Sequence, residues 1–394
     1  MTLQNASNER VLVVARSIAY PGDRTGAETR LAGLVREFRA CGATVAVLAA
    51  PPAALPSDET AARRRVRKLL PQRMLGLRRD LAALLGAAAW ARRVLKEVRA
   101  FQPTVIVERA AYLDPSGALL ARRLGLPHIL ELHGVLADDA RSYYRSPLEP
   151  VGAWYERRRY RRAEAVVAVS EGLGRFAAEV GARRWAVIPN GVDVPTVLTP
   201  RAAAIAKLRE HRNLEGRRIV GWIGHLMEWQ ASSFADLCTA LSLVADDLPV
   251  ALIVVGEPGE LARDALGGAE FPVHLMGSVS RATSNEVVRG FEAGFVPGGL
   301  DYALPVKLFQ YGALEVPVVA PRLGSLIAFA DGHEFFFDYD DGDPVSLAEA
   351  IRSALESAAD DSRVRALRDE VASRHTWAAV ANELLAVIAE VSGK

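Results

Sequence analysis

The chain has 394 residues, half of them hydrophobic, and a formal net charge of +1. That length asks for more than one domain, and the near-neutral balance provides no global field to attract nucleic acid or an anionic membrane. Two cysteines, Cys41 and Cys238, stand far apart and in no CxxC pair, which offers neither a thiolate zinc site nor a redox motif and fits a reducing compartment.

Residues 1–10 are polar and run straight into the apolar stretch Val11–Ala15. This reads as a buried strand, too short for a signal peptide and followed by no cleavage pattern. The best apolar segment elsewhere, Leu81–Ala91, falls short of the ~20 residues a membrane span needs, so a cytoplasmic protein is expected. Short β-branched runs then alternate with long Ala/Leu/Arg helical stretches. Expected strands are Val11–Ala15, Thr44–Leu48, Thr104–Val107, His128–Leu132, Ala165–Val169 and Trp185–Ile188, then Ile219–Ile223, Val250–Val255, Val273–Met276, Ala293–Val296 and Val316–Ala320. Apolar runs without alternation suit strands buried on both faces, hence parallel sheets between helix layers. Two such series predict two doubly wound α/β domains.

The break falls near Pro189, because Pro189–Pro200 carries three prolines, an Asn-Gly turn and no helical period. Ligands of such sheets bind outside the carboxyl ends of the strands, so two facing sheets predict an interdomain cleft.

Several strand-end motifs then resemble glycosyltransferase family 4. Val187-Ile-Pro-Asn-Gly-Val-Asp193 is similar to the family's interdomain motif and follows Ala168-Val-Ser-Glu-Gly172. Gly26-Ala-Glu28 resembles the first glycine loop, and His133-Gly134 the catalytic-loop histidine. Gly221-Trp-Ile-Gly224, Gly256-Glu-Pro258 and Gly277-Ser-Val279 resemble strand-end loops of the second domain. Pro305-Val-Lys-Leu-Phe-Gln-Tyr311 through Pro317-Val-Val-Ala320 resembles the donor-binding helix and the strand after it. The similarity runs from about residue 10 to about residue 390, carried by the order and spacing of the pieces.

The resemblance implies a GT-B fold: an acceptor-side domain over 1–187, a nucleotide-sugar domain over 188–373, and a last helix within 374–394 crossing back. It implies transfer of a sugar from a nucleoside diphosphate sugar, with retained configuration and no metal, to a small-molecule or lipid acceptor, with natural-product biosynthesis as the expected setting. His133 would act near the reacting carbon, since a strand-end histidine can bond a sugar hydroxyl or pass a proton at neutral pH. Asp138 and Asp139 could orient the acceptor, although capping of the next helix is the preferred reading. Gly26 could let backbone N–H groups approach a phosphate. The donor would lie against Gly224, His225, Gln230, Gly277, Val279, Asp301, Tyr302, Leu304, Val306, Lys307 and Gln310. Pro305 would open a helix whose free N–H groups and partial positive charge suit a diphosphate, with Lys307 adding a full charge.

The sequence departs from the family in the donor site. Where many members carry two glutamates eight positions apart, Tyr302 and Gln310 stand here, with Asp301 adjacent. Glutamine keeps an acceptor oxygen but loses the charge. Where members often place an arginine and a lysine, His225 and Gln230 occupy the approximate places, leaving Lys307 and Arg322 as the nearest cations. These replacements suit an unusual donor, and they keep open a non-catalytic nucleotide-sugar-binding protein. A nucleotide-sugar epimerase on the same fold is a further alternative, opposed by the Pro189–Asp193 motif.

No GxGxxG follows the first strand and no GxxxxGK[ST] is present, which argues against a dinucleotide dehydrogenase and a P-loop enzyme. Asp338-Tyr-Asp340 reads as loop and capping chemistry rather than a metal site. Two basic clusters, Arg63, Arg64, Arg65, Arg67, Lys68, Arg73, Arg78 and Arg79, and Arg157, Arg158, Arg159, Arg161 and Arg162, read first as solvated helix faces; peripheral membrane contact is the alternative. Trp222, Trp185 and Trp377 are expected in the core, and Trp229 in a ligand-facing loop.

Overall fold

A computed structural model describes residues 8–21, 25–50, 72–142, 146–225, 230–257, 259–357 and 361–393. The chain forms two compact units, one built on residues up to Pro189, apart from 23–26, and again from Val380, the other on residues 23–26 and Asn190–Ala379.

The first unit runs β1 (Arg10–Ala19), α1 (Gly26–Ala40), β2 (Thr44–Ala50), α2 (Gln72–Phe101), β3 (Val105–Arg109), α3 (Ser116–Leu124), β4 (His128–Leu132), α4 (Leu136–Ser142), α5 (Glu149–Arg162), β5 (Ala165–Ala168), α6 (Glu171–Glu179) and β6 (Trp185–Val187). Its parallel sheet has the order β2-β1-β3-β4-β5-β6, so the winding reverses between β1 and β3. Alternate residues face opposite layers. Val11, Val13, Val105, Val107 and Ile129 pack under α1, whereas Leu12, Val14 and Ile106 pack under α2 and α3.

The second unit runs α7 (Arg201–Arg212), β7 (Arg218–His225), α8 (Ala231–Ala245), β8 (Val250–Glu257), α9 (Glu260–Gly267), β9 (Val273–Gly277), α10 (Arg281–Arg289), β10 (Ala293–Phe295), α11 (Val306–Ala313), β11 (Val318–Pro321), α12 (Gly324–Ala330), β12 (Phe336–Tyr339), α13 (Pro344–Glu356) and α14 (Ser362–Arg374). Its parallel sheet has the order β12-β11-β10-β7-β8-β9, with the reversal between β7 and β10. The last helix, α15 (Trp377–Val391), places Val380, Ala381, Leu384, Leu385 and Ile388 in the core of the first unit. That spacing is one stripe of a helix.

The unit boundaries fall slightly later than the sequence suggested. Ile188 still packs in the first core. Trp377 belongs to the second unit, where a methyl group added at Gly191 would lie 2.7 Å from its ring. The Pro189–Asp193 motif has a packing role there. Asn190 Nδ2 donates to the Leu304 carbonyl at 3.1 Å, and Val192 N–H donates to the His375 carbonyl at 2.8 Å. The motif thus stitches the outgoing chain to the returning one.

Strand β12 went unread in the sequence. Phe337 and Tyr339 are buried and Asp338 is exposed, the alternation of an edge strand rather than a continuous apolar run. The expectation of loop and capping chemistry at Asp338-Tyr-Asp340 is corrected accordingly: Asp338 lies in β12, and both Asp338 and Asp340 pair with Arg322. The cap of α13 is Asp343, which accepts from Val345 and Ser346 N–H.

Candidate functional site

In the second unit, strand ends β7 and β10 mark the topological switch point, where ligands of such sheets bind. Tyr311 on α11 is fixed there. Its hydroxyl accepts from Ile223 N–H at 3.3 Å and lies 3.2 Å from the Phe295 carbonyl, spanning the two strands. Gly294 leaves room for the ring, since a methyl group there would lie 2.9 Å from it. Lys307 stands four residues earlier, on the same helix face. Its ammonium therefore reaches back over the strand ends, 4.4 Å from the centroid of the buried Trp222 ring. A methyl group at Gly224 would lie 3.3 Å from Lys307 Nζ. No carboxylate lies within salt-bridge distance of Lys307 among the described residues. Burial pushes its pKa down to about 7, although the indole face favours the charged form.

Lys307 shares a pocket with Gln230, Val296, Pro297, Gly298, Gly299, Ala303, Pro305, Leu323 and Leu326. Pro305 is the residue before α11 rather than its first residue, with extended backbone, so the helix opens at Val306. Gly224 and Gly277 have left-handed φ of 144° and 64°. At Gly256, φ is 106° and a side chain would collide with the Gly224 carbonyl. Glycine is therefore required where these strand ends approach one another.

The remaining expected donor residues divide. Gln310 Nε2 donates to Asn285 Oδ1 at 2.9 Å and to Ser284 Oγ at 3.3 Å. Its amide donors are thus turned to α10, leaving the carbonyl oxygen as its free function. Asp301 is committed elsewhere: Oδ1 accepts from Gly324 N–H at 2.6 Å, holding the start of α12. The Leu304 side chain is core, so only its backbone could serve a ligand, and its carbonyl already holds Asn190. Val279 packs against the same core, Tyr302 is half-buried and His225 is exposed. Arg322 forms exposed ion pairs with Asp338 and Asp340. Trp229 and Pro258 lie outside the described residues.

In the first unit, His133 follows β4; Gly26, the first residue of α1, is grouped with the second unit. Around His133 the sheet carries charged side chains that the sequence reading did not single out. Arg109 and Glu131 are in register on β3 and β4. Arg30 of α1, with its side chain only 1% exposed, donates to Glu131 Oε1 from Nη2 at 2.9 Å and to the Pro189 carbonyl from Nη1 at 2.8 Å. Burial opposes ionisation of Glu131, but Arg30 first, then the neighbouring His133 and Arg109, outweigh it and hold the carboxyl well below the usual range. His133 Nε2 is 2.9 Å from Arg109 Nη1. Burial, reinforced by Arg109, pushes the imidazole down to about 3. Burial thus favours the neutral imidazole at neutral pH. The signal in the sequence was charge inside otherwise apolar strands, because buried charges must be paired.

The preferred capping role of Asp138 and Asp139 is also corrected. Both lie inside the first turn of α4, whose Leu136 and Ala137 N–H groups are held by Glu156 at 3.0 and 2.9 Å. Asp138 forms an exposed pair with Arg141.

The basic clusters separate too. Residues 63–68 lie outside the described residues. Arg159 leaves its cluster, buried beside Glu108 at 3.2 Å. Arg157, Arg158, Arg161 and Arg162 are exposed on α5 with Val151 and Trp154. On α2, Met74, Leu77, Leu81 and Leu85 are exposed along one helix face that continues into Arg92, Lys96 and Arg99. Among the described residues no helix is long and apolar enough to cross a membrane. Trp222 and Trp377 are core as expected, but Trp185 is 40% exposed on edge strand β6.

Residues 24–195 match the family model Glycosyltransferase Family 4, and residues 217–357 match Glycosyl transferases group 1. The chain is 25% identical over 317 residues to the alpha-maltose-1-phosphate synthase of Mycolicibacterium smegmatis, covering 73% of this chain and 79% of the relative. In fold it is similar to Anabaena HepE, solved with UDP and glucose, at a TM-score of 0.71 and 17% identity, covering 97% of this chain and all of that one. It is also similar to the sucrose-phosphate synthase of Thermosynechococcus elongatus, at a TM-score of 0.69 and 15% identity over 98% of this chain and 100% of the other. Two parallel six-stranded sheets flanked by helices are the two Rossmann-like domains of the GT-B fold. With the two models matched in order along them, the chain belongs to the family 4 type of nucleotide-sugar glycosyltransferases.

Proposed function

We propose that this glycosyltransferase binds the diphosphate of its donor at the carboxyl ends of β7 and β10 and transfers the sugar with retention to an acceptor hydroxyl. The observation that carries the reading is Lys307, an ammonium without a carboxylate partner among the described residues, held over Trp222 beside Gly224 and the opening turn of α11. A helix amino end and a cation together suit a leaving diphosphate. Gln310 offers its carbonyl oxygen to a ribose hydroxyl. In this reading Lys307 and the helix end neutralise the diphosphate without a divalent cation, so turnover survives EDTA.

His133 donates a hydrogen bond to a sugar hydroxyl and takes no proton. The acceptor belongs to the first unit and is a small molecule or a lipid, with natural-product glycosylation as the setting. The exposed face of α2, apolar at one end and basic at the other, favours contact with an anionic lipid surface. HepE was solved with UDP, which makes UDP-sugars the first donors to test. The decisive experiment is turnover of a nucleotide sugar with the anomeric configuration of the product read by NMR coupling. An inverted product overturns retention, and epimer formation without acceptor overturns transfer.

A further inference from the structure

The hydrogen bond between Arg109 and His133 carries chemical information beyond its length. A guanidinium offers only donors and keeps its proton in proteins. At 2.9 Å from Arg109 Nη1, His133 Nε2 must therefore present its lone pair. A proton on Nε2 would set N–H against N–H, and a doubly protonated ring would set two cations in contact. Glu131 Oε2 is the competing partner for Nε2, but at 3.9 Å it lies beyond hydrogen-bond distance. Glu131 is also held by Arg30 through Nη2 at 2.9 Å and Nε at 3.2 Å. The charged groups around the ring are thus Arg109 from β3, Glu131 from β4 and Arg30 from α1. Among the described residues His133 Nδ1 has no hydrogen-bond partner.

We propose that Arg109 is a positioning residue that fixes His133 as the neutral tautomer with its proton on Nδ1, making that nitrogen a permanent donor to a sugar oxygen. Its relevance to turnover rests on the reading of His133 as a functional residue; the tautomer itself does not. Arg30 supports the arrangement at one remove, by gripping Glu131 through Oε1. The ring's pKa is depressed to about 3 first by burial and then by the charge of Arg109, against the opposing pull of Glu131. The arrangement suits a group that must orient a hydroxyl without exchanging protons with it: the donor is present at every working pH, and no protonated minority form competes.

The test is a long-range 1H–15N correlation spectrum of protein labelled at its seven histidines, with the His133 signal assigned by its disappearance in His133→Asn. The expected result is a protonated Nδ1 and an unprotonated Nε2 that persist between about pH 5 and 9, below the usual histidine pKa as well as above it. In Arg109→Met the same ring is expected to move toward the Nε2–H tautomer and to titrate nearer the ordinary range. Turnover should fall about 10-fold or more and gain an acid limb, while nucleotide affinity changes less than about twofold. Arg109→Lys, which keeps a donor and a charge, should restore part of both the tautomer and the rate. An Nε2–H or titrating ring in the wild type overturns the proposal, and that measurement needs no variant to fold. An unchanged tautomer in folded Arg109→Met overturns it as well. If the wild-type tautomer is as proposed and His133→Asn retains full turnover, the functional reading of His133 fails while the tautomer assignment stands.

Discussion

Lys307 Nζ stands 4.4 Å from the centre of the Trp222 ring, the lysine from α11 and the tryptophan from β7. The contact follows from a chain of constraints. Tyr311 pins α11 to the ends of β7 and β10, the i,i+4 relation aims Lys307 at the same place, and the indole face receives the ammonium without neutralising it. A cation held beside a strand end, with no carboxylate at hand among the described residues, is prepared for an anion that arrives.

A pH dependence follows. Without ligand, burial sets the Lys307 pKa at about 7; a bound diphosphate raises it. Below pH 7 the lysine is already charged and affinity is flat with respect to this group. Above it, binding must take up a proton, so affinity falls by up to about tenfold per pH unit until the raised pKa is reached. Calorimetric titration in buffers of different ionisation enthalpy should show proton uptake near pH 8, absent from Lys307→Met.

Tyr311→Phe tests the pin. It leaves Ile223 N–H and the Phe295 carbonyl short of a partner at a buried site, at a cost of about 1–3 kcal/mol. Chemical denaturation of the variant should show that loss. Diphosphate affinity should fall as well, because the lysine is no longer aimed. Unchanged affinity in a destabilised but folded variant would show that α11 needs no such anchor.

For His133→Ala, turnover should fall by at least tenfold with nucleotide affinity nearly unchanged, because the residue belongs to the first unit and Lys307 to the second. Steady-state rates and nucleotide titrations on one preparation separate the two. Equal losses would make His133 a structural residue.

The sequence revealed the fold through the continuous apolar runs that parallel strands require, and it missed β12 because an edge strand alternates. Lys307 was visible as a cation near a helix start, but its direction depends on Tyr311 across the sheet, a relation without local pattern. Arg109, Glu131 and Arg30 lie 22 and 79 or more positions apart, and only the sheet register unites them. Asp301 shows the converse: a plausible donor residue by position, yet engaged by Gly324 N–H. The family motif at Pro189–Asp193 was recognisable, while its role in joining Val192 to His375 was not.

The face of α2 carrying Met74, Leu77, Leu81 and Leu85 ahead of Arg92, Lys96 and Arg99 should bind vesicles containing phosphatidylglycerol at low salt. Leu81→Glu with Leu85→Glu, both exposed and hence tolerable to the fold, should abolish co-sedimentation. Wild-type protein that stays in the supernatant at low salt would leave this face a solvated surface.

The most direct measurement of the central claim is thermal stabilisation by UDP, GDP, ADP and dTDP in wild type and Lys307→Met. At about 100-fold excess over Kd, one nucleotide should stabilise the wild type by about 2.7 kcal/mol, and Lys307→Met should need about 10- to 100-fold more nucleotide for the same shift. Silence from all four nucleotides, or an equal shift in the folded variant, would contradict a diphosphate site at Lys307.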